Sequence, residues 1–295
     1  MLRDVEILAR YEHTTVLIEG ESGTGKSYVA RHIHQSSPRS RATFHQVVLS
    51  ALDDNLAASD LFGHLSGAYT DARQNRPGHF VTANKGTLFL DEIGKASRGV
   101  QRKLLHAVEH REISPVGSDR AVRLDVRLVV ATNIPLRTLV ERGEFLPDLA
   151  ARLESFRVHI PSLRERRADI PMLVRQFAGL RAASCGHPAG APRFHPDLME
   201  ALMRAEWPYN LRQLDGVVQR LLINAESSDE VGCQHCTGSL AGLGQSARAL
   251  GIQVTPAMVA QRKVVLKKVT AVAQSLGMSR QTVYRYLKRA KLEGG

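Results

Sequence analysis

Cysteine is scarce in this sequence, with Cys185, Cys233 and Cys236 the only three in 295 residues. Three thiols cannot make the disulfide framework of a small secreted domain, so a reducing cytoplasm is the expected compartment. No apolar run reaches the ~18–20 residues that a membrane-crossing helix needs, and the N-terminus lacks the basic-then-apolar layout of a secretory signal. No membrane partner is expected. The third absence is local. Residues 257–292 hold nine Lys or Arg and no Asp or Glu, whereas residues 1–256 carry only +3 of the total charge of +11. A solvated charged face is the ordinary explanation of a basic run, but a stretch this long without a compensating acid points to a polyanion partner.

What is present begins with Gly20-Glu21-Ser22-Gly23-Thr24-Gly25-Lys26-Ser27, which fits the phosphate-binding pattern G-x-x-x-x-G-K-[ST]. Thr15-Val16-Leu17-Ile18 before it reads as a buried strand, and Val29, Ala30 and Ile33 after it recur at helical spacing. Glycines at 20, 23 and 25 remove Cβ atoms where backbone N–H groups must curl round a phosphate. Lys26 is placed to reach the β- and γ-phosphates, and the Ser27 hydroxyl to ligate Mg²⁺. A chance glycine-rich turn would lack this strand-before, helix-after setting.

Phe44 to Leu49 reads as a second strand, and a helix is expected from about Asn55 to Phe62. Gly63 to Gly78 is a glycine-, serine- and proline-punctuated insertion. Gly86-Thr87-Leu88-Phe89-Leu90-Asp91-Glu92 then supplies an apolar strand ending in two carboxylates, 65 residues after Lys26. Such a strand delivers Asp91 to the metal's water shell and Glu92 towards an attacking water. Residues 111–125 read as a hairpin with a Gly117-Ser118-Asp119 turn, and Val126 to Ala131 as another buried strand ending in Thr132-Asn133. A polar pair at that end of a central strand faces the ligand crevice of an open α/β sheet, which makes Asn133 a candidate catalytic side chain. Strand–helix alternation to about residue 160 predicts an α/β fold with a mostly parallel sheet covered on both faces. Residues 169–224 switch to helical patterns without strands, and residues 226–256 read as a linker.

Together these segments resemble the AAA+ ATPase domain of bacterial sigma-54-dependent transcription activators. The match runs from Val16 to Leu222. It rests on GESGTGK at 20–26, Ala30-Arg31, Ile33-His34, and Leu61-Phe62-Gly63-His64 leading to Gly67-Ala68-Tyr69-Thr70-Asp71-Ala72. It continues with GTLFLDEIG at 86–94, QRKLL at 101–105, ATN at 131–133, Pro161 to Arg166 before Asp169-Ile170, and Trp207-Pro208-Tyr209-Asn210-Leu211-Arg212. The resemblance implies a three-layer P-loop fold over residues 1–165, a helical lid over 166–225 and, after the linker, a helix-turn-helix over 257–295. It implies a homo-oligomeric ring, expected as a hexamer, that hydrolyses MgATP between neighbours and remodels sigma-54 RNA polymerase holoenzyme. Arg152 would then reach the neighbour's phosphates as an arginine finger, Arg212 would contact them in cis, and Gly67 to Ala72 would press on the sigma factor.

The sequence departs from the family pattern at several of these positions. Tyr69 replaces a phenylalanine and Asp71 a glycine, while Leu65 and Ser66 replace a Glu-Lys pair. Val48 stands where an asparagine is usual, Leu146 where a second trans arginine is common, and Ser27 where glutamate is common. The first strand begins some 14 residues into the sequence, so neither a receiver nor a ligand-sensing domain is expected ahead of it. A second reading therefore stands beside the first: a DNA-binding regulator that binds ATP but has lost sigma-54 remodelling.

In the tail, Val269 to Leu276, then Gly277-Met278, then Ser279 to Ala290 read as helix, turn, helix, with Ser279 an apt N-cap. A recognition helix sets its first residues on base edges of double-stranded DNA. Arg280, Gln281 and Thr282 are the candidates for bases, and Arg285, Lys288 and Arg289 for phosphates. Val283 and Leu287 are expected to pack inward. Cys233-Gln234-His235-Cys236 is a lone CxxC for which only Cys185 and His187 could complete a zinc set, and no metal site is assigned to it.

Overall fold

A computed structural model describes residues 8, 10–53, 56–69, 72–187, 190–225, 228–232, 235, 259, 263, 268–276 and 279–293. The chain divides into two compact units, residues 1–161 and 162–295.

The first unit runs β1 (Val16–Glu19), α1 (Lys26–Gln35), β2 (Phe44–Val48), α2 (Ala57–Phe62), β3 (Gly63–His64), β4 (Arg76–Pro77), α3 (His79–Thr82) and β5 (Thr87–Asp91). It continues with α4 (Arg98–His110), β6 (Glu112–Ile113), β7 (Val122–Arg123), β8 (Arg127–Thr132), α5 (Leu136–Glu141), α6 (Pro147–Leu153) and β9 (Phe156–His159). Five strands form a parallel sheet in the order β2-β5-β8-β1-β9. Strands covered on both faces read as continuous apolar runs, and β1 and β8 are buried throughout. Alternate side chains nevertheless serve opposite faces. Leu17, Leu88, Leu90 and Val130 share one core with α2, α4 and α6, whereas Val16, Ile18, Phe89 and Val129 meet Ala30 and Ile33 of α1. The expected hairpin over 111–125 forms as the β6–β7 pair.

Among the described residues of this unit, Arg39 and Arg127 are buried. Arg127 opens β8 and donates from Nη2 to Leu8 O at 2.8 Å. Burial, reinforced by the charge of Arg39, pushes its pKa down to about 10. Arg39 donates to the Glu12 carboxylate (3.2 Å), to the Asp125 carboxylate (2.6 Å), and to Gly86 O and Asp125 O. Its hydrogen bond holds the Asp125 carboxyl below its usual range.

The second unit contains α7 (Ile170–Arg181), β10 (Arg193–Phe194), α8 (Pro196–Arg204), α9 (Asn210–Ala225), β11 (Glu230–Val231), α10 (Val269–Leu276) and α11 (Arg280–Glu293). A strand-free lid is the expectation from sequence, but β10 and β11 pair in parallel over two residues. Two residues are too short to leave a period-2 pattern. Trp207 is fully buried and donates Nε1–H to Leu202 O at 2.9 Å. The Asn210 side chain accepts from Leu163 N at 2.7 Å, tying the start of this unit to the start of α9. Trp207 and Asn210 both take left-handed backbone, with φ of 51° and 50°, so the Trp-Pro-Tyr-Asn segment is a compact elbow. Val259, Val272, Ala273 and Val283 belong to the same apolar cluster as this helical core.

Residues 2–11, whose sequence reads as a short helix leading into β1, lie outside the described residues except at Leu8, Arg10 and Tyr11. The same holds for Asn55, for Thr70 and Asp71, for Gly277-Met278, for Cys233, Gln234 and Cys236, and for most of the 226–256 linker. Among the described residues, no helix is long and apolar enough to cross a membrane, and no three His, Cys, Asp or Glu side chains group as a metal site. His187 is spoken for, since its Nε2 lies 2.9 Å from Leu222 O.

Candidate nucleotide site

The loop between β1 and α1 carries the Gly20–Ser27 motif. β1 lies between β8 and β9, so its end is fixed from both sides: Gly20 N donates to Thr132 O at 3.3 Å and Ile160 N to Glu19 O at 2.8 Å. A Cβ at Gly20 would stand 2.8 Å from Ile160 O and 3.0 Å from Thr24 Oγ1. Only glycine fits. Gly25 takes φ 101° as the N-cap of α1, a conformation that costs other residues. The first turn of α1 holds no acidic residue, so the positive end of the helix dipole is left for an anion. Glu21 and Ser22 are half-buried in the loop, and Thr24 closes it by donating Oγ1–H to Glu21 O at 2.8 Å.

Lys26 is buried, with its ammonium donating to Gly20 O at 2.8 Å and Glu21 O at 3.0 Å. A buried ammonium at the mouth of this loop is placed to meet an incoming anion, which offers charge that carbonyl oxygens lack. Ser27 Oγ donates to Asp91 Oδ2 at 3.3 Å, bridging two positions 64 residues apart. The other Asp91 oxygen accepts from Glu92 N at 2.9 Å, which fixes the carboxylate plane. A hydroxyl and a carboxylate meeting beside a phosphate loop are a donor set that suits Mg²⁺, a hard cation that prefers few protein oxygens and keeps water.

Glu92 itself takes φ 57° and ψ 43°, a left-handed conformation rare for a residue with a Cβ. Such strain costs roughly 1–3 kcal/mol and collects at functional sites. Here the left-handed backbone bends the chain out of the line of β5 just after Asp91. Asn133 is exposed just past the end of β8, which runs between the strands bearing Asp91 and Gly20. Thr132 Oγ1 donates to Ile134 O at 2.7 Å, which curls the chain there. Val48 is paired with Asp91 in the sheet register, so the neighbouring strand presents an apolar side chain at this level.

Arg152 lies in the last turn of α6, 62% exposed, with its Nε donating to Glu109 Oε1 of α4 at 3.1 Å. The two helices share an apolar core through Leu104, Leu149 and Leu153. Gln101 fastens them further: buried, it donates to Ala96 O and Glu144 O and accepts from Leu146 N. Leu146 packs against that core at the N-cap of α6. Arg212 is exposed on α9 of the second unit.

In the insertion, the Tyr69 ring meets His64 edge-on at 5.1 Å, and His64 Nδ1 lies 2.7 Å from Ser59 Oγ. Gly67 is exposed and its N–H donates to Ala72 O at 2.7 Å, while Ala72 is buried. Ala68 packs against Gly117 of the second hairpin, where a Cβ would meet it at 2.8 Å. In the tail, Arg280, Gln281, Arg285, Lys288 and Arg289 are exposed on α11, and Val283 is buried. Ser279 Oγ accepts from Thr282 N at 3.1 Å, which is the N-cap its sequence position implies. Sequence reasoning assigned no role to Gln101, although it opens the QRKLL motif at 101–105, and did not find Glu109, a polar residue on a helix that no motif or periodicity marks.

A family model described as the sigma-54 interaction domain matches residues 1–159, and one described as the AAA+ ATPase lid domain matches residues 164–250. The transcriptional regulatory protein ZraR of Escherichia coli (strain K12) is 38% identical over 98% of this chain and 66% of its own length. The DNA-binding transcriptional regulator NtrC of Klebsiella pneumoniae is 43% identical over 73% of this chain and 45% of its own. The chain thus spans two thirds or less of these relatives. Among solved structures, NtrX of Brucella abortus in complex with ATP superposes with a TM-score of 0.74 at 27% identity, covering 98% of this chain and 67% of that one.

Proposed function

The chain belongs to the family of sigma-54-dependent transcription activators, and from that premise we propose that it is a ring-forming, cytoplasmic ATPase that remodels sigma-54 RNA polymerase while bound to duplex DNA. The observation that carries this reading is the Ser27–Asp91 contact of 3.3 Å beside the buried Lys26 ammonium. Lys26 and the N–H groups from Gly20 to Ser27 would bind the phosphates of ATP, and Ser27 with Asp91 would hold Mg²⁺. The metal supplies charge neutralisation on the phosphate oxygens. Glu92 orients the attacking water, with Asn133 completing the polar rim. Arg212 acts in cis and Arg152 on the neighbour's nucleotide, in a homo-oligomer expected to be a hexamer. Tyr69, at the exposed part of the Gly67–Ala72 loop, touches the sigma factor. The basic face of α11, from Arg280 to Arg289, takes DNA.

ATP hydrolysis measured against protein concentration tests this proposal. Specific activity should rise with concentration, because Arg152 acts only across a subunit boundary. Glu92→Gln should lower it by roughly 10²–10⁴ while leaving ATP binding in place. A variant as fast as the parent removes Glu92 from the mechanism.

One observation favours a second reading. Val48 beside Asp91 offers no hydrogen bond through which the hydrolytic residues could signal to the insertion. A regulator that binds ATP and DNA without remodelling would hydrolyse nucleotide yet fail to retain sigma-54 in the presence of a transition-state mimic. Retention excludes it.

A further inference from the structure

Arginine is a long, rotamer-rich side chain, and an exposed one samples many directions unless something fixes it. Arg152 is 62% exposed, and among the described residues the one hydrogen bond to its guanidinium is from Nε to Glu109 Oε1, at 3.1 Å. A carboxylate that takes Nε leaves both Nη groups of the fork unengaged. Those are the donors that match two oxygens of a phosphoryl group. Glu109 is the steadier partner, 31% exposed, on a thirteen-residue helix whose inner face is buried. The platform below is rigid as well, since Gln101 bonds the backbone at Ala96, Glu144 and Leu146.

We propose that Glu109 is a positioning residue for Arg152, holding Nε so that the Nη fork is presented outward, ready for the nucleotide of an adjoining subunit. The assignment rests on the trans role of Arg152 given above. A carboxylate also subtracts from the charge that the arginine offers. At this exposure solvent screens that loss, whereas the orientational gain stays, so orientation wins. The neighbouring acid, Glu112, faces His106 at 3.7 Å and does not compete for Arg152.

The test is steady-state ATP hydrolysis by the full chain at a concentration giving maximal specific activity, for the parent, Glu109→Gln, Arg152→Ala and the double variant. Glu109→Gln should lower kcat about three- to fivefold, the scale of one exposed ion pair, and shift KM by less than about twofold. Arg152→Ala should lower kcat by about 10³ or more. In that background Glu109→Gln should change nothing, because it acts only through the arginine. An undiminished kcat for Glu109→Gln overturns the proposal, and so does a loss of the same size with and without Arg152. If Arg152→Ala keeps the parental rate, the trans role itself is wrong, a result distinct from either of the others and equally fatal to this one.

Discussion

His34 packs its ring against Phe44 at 5.3 Å and shares a hydrogen bond of 3.0 Å with Thr87 Oγ1. Burial holds its pKa below the ordinary 6.5, and the charges of Arg127 and Arg31 act in the same direction. The folded chain therefore binds fewer protons than the unfolded one as pH falls through 6.5, so the stability this group contributes is present above that value and drains below it. A thermal midpoint followed from pH 8 to pH 5 should fall, and fall less in His34→Gln. His79 is depressed too, by burial and by His45, and accounts for a remaining slope. A parent midpoint flat across this range would refute the assignment. At this scale the Gly20–Ser27 loop and the Asp91-Glu92 pair closing β5 were legible in the sequence as local patterns of residue type and spacing, and a hydrogen bond of 3.3 Å joins Ser27 to Asp91. The contacts of Glu109 and Gln101 were not, since they depend on which helix lies opposite.

The insertion is rooted where two backbones cross. Gly63, at φ 84°, would set a Cβ 2.8 Å from Arg76 O and Gly78 N, and a Cβ on Gly78 would overlap Gly63 N, Phe62 C and Leu61 O. Gly78→Ala must spread the two stems, at a cost of about 1–3 kcal/mol. Urea unfolding should register that loss, and sigma-54 retention should fall with it while ATP binding at the distant loop persists. Full retention at parental stability would show the crossing to be slack. α6 illustrates a different limit of sequence reasoning. Its start carries Leu146 in place of a cation, and the packing of that leucine with Gln101 and the α4 core shows an anchor where a functional side chain was sought. The apolar strands were readable because double burial makes them continuous; β10 and β11 were not, being two residues each.

Across the whole molecule, charge is partitioned: the sheet-bearing part is nearly balanced, whereas the tail from residue 257 to 292 is wholly basic. Changing Arg285, Lys288 and Arg289 to alanine should weaken binding to duplex DNA alike for any sequence, and should lower the slope of log affinity against log salt by up to about 0.9 per lost phosphate contact. An unchanged slope would remove α11 from the interface. Deleting the tail is the poorer experiment, because Val259, Val272, Ala273 and Val283 are part of the second unit's core. The sequence by itself determined the phosphate loop, the carboxylate-tipped strand, the parallel α/β class and the basic tail, each written in local pattern and in chemistry that few residue types can perform. Tertiary structure alone decided that Val48 stands beside the Asp91 carboxylate and that Glu109 meets Arg152. Those contacts are set by strand order and helix packing, and residues brought together that way share no spacing that a linear reading could detect.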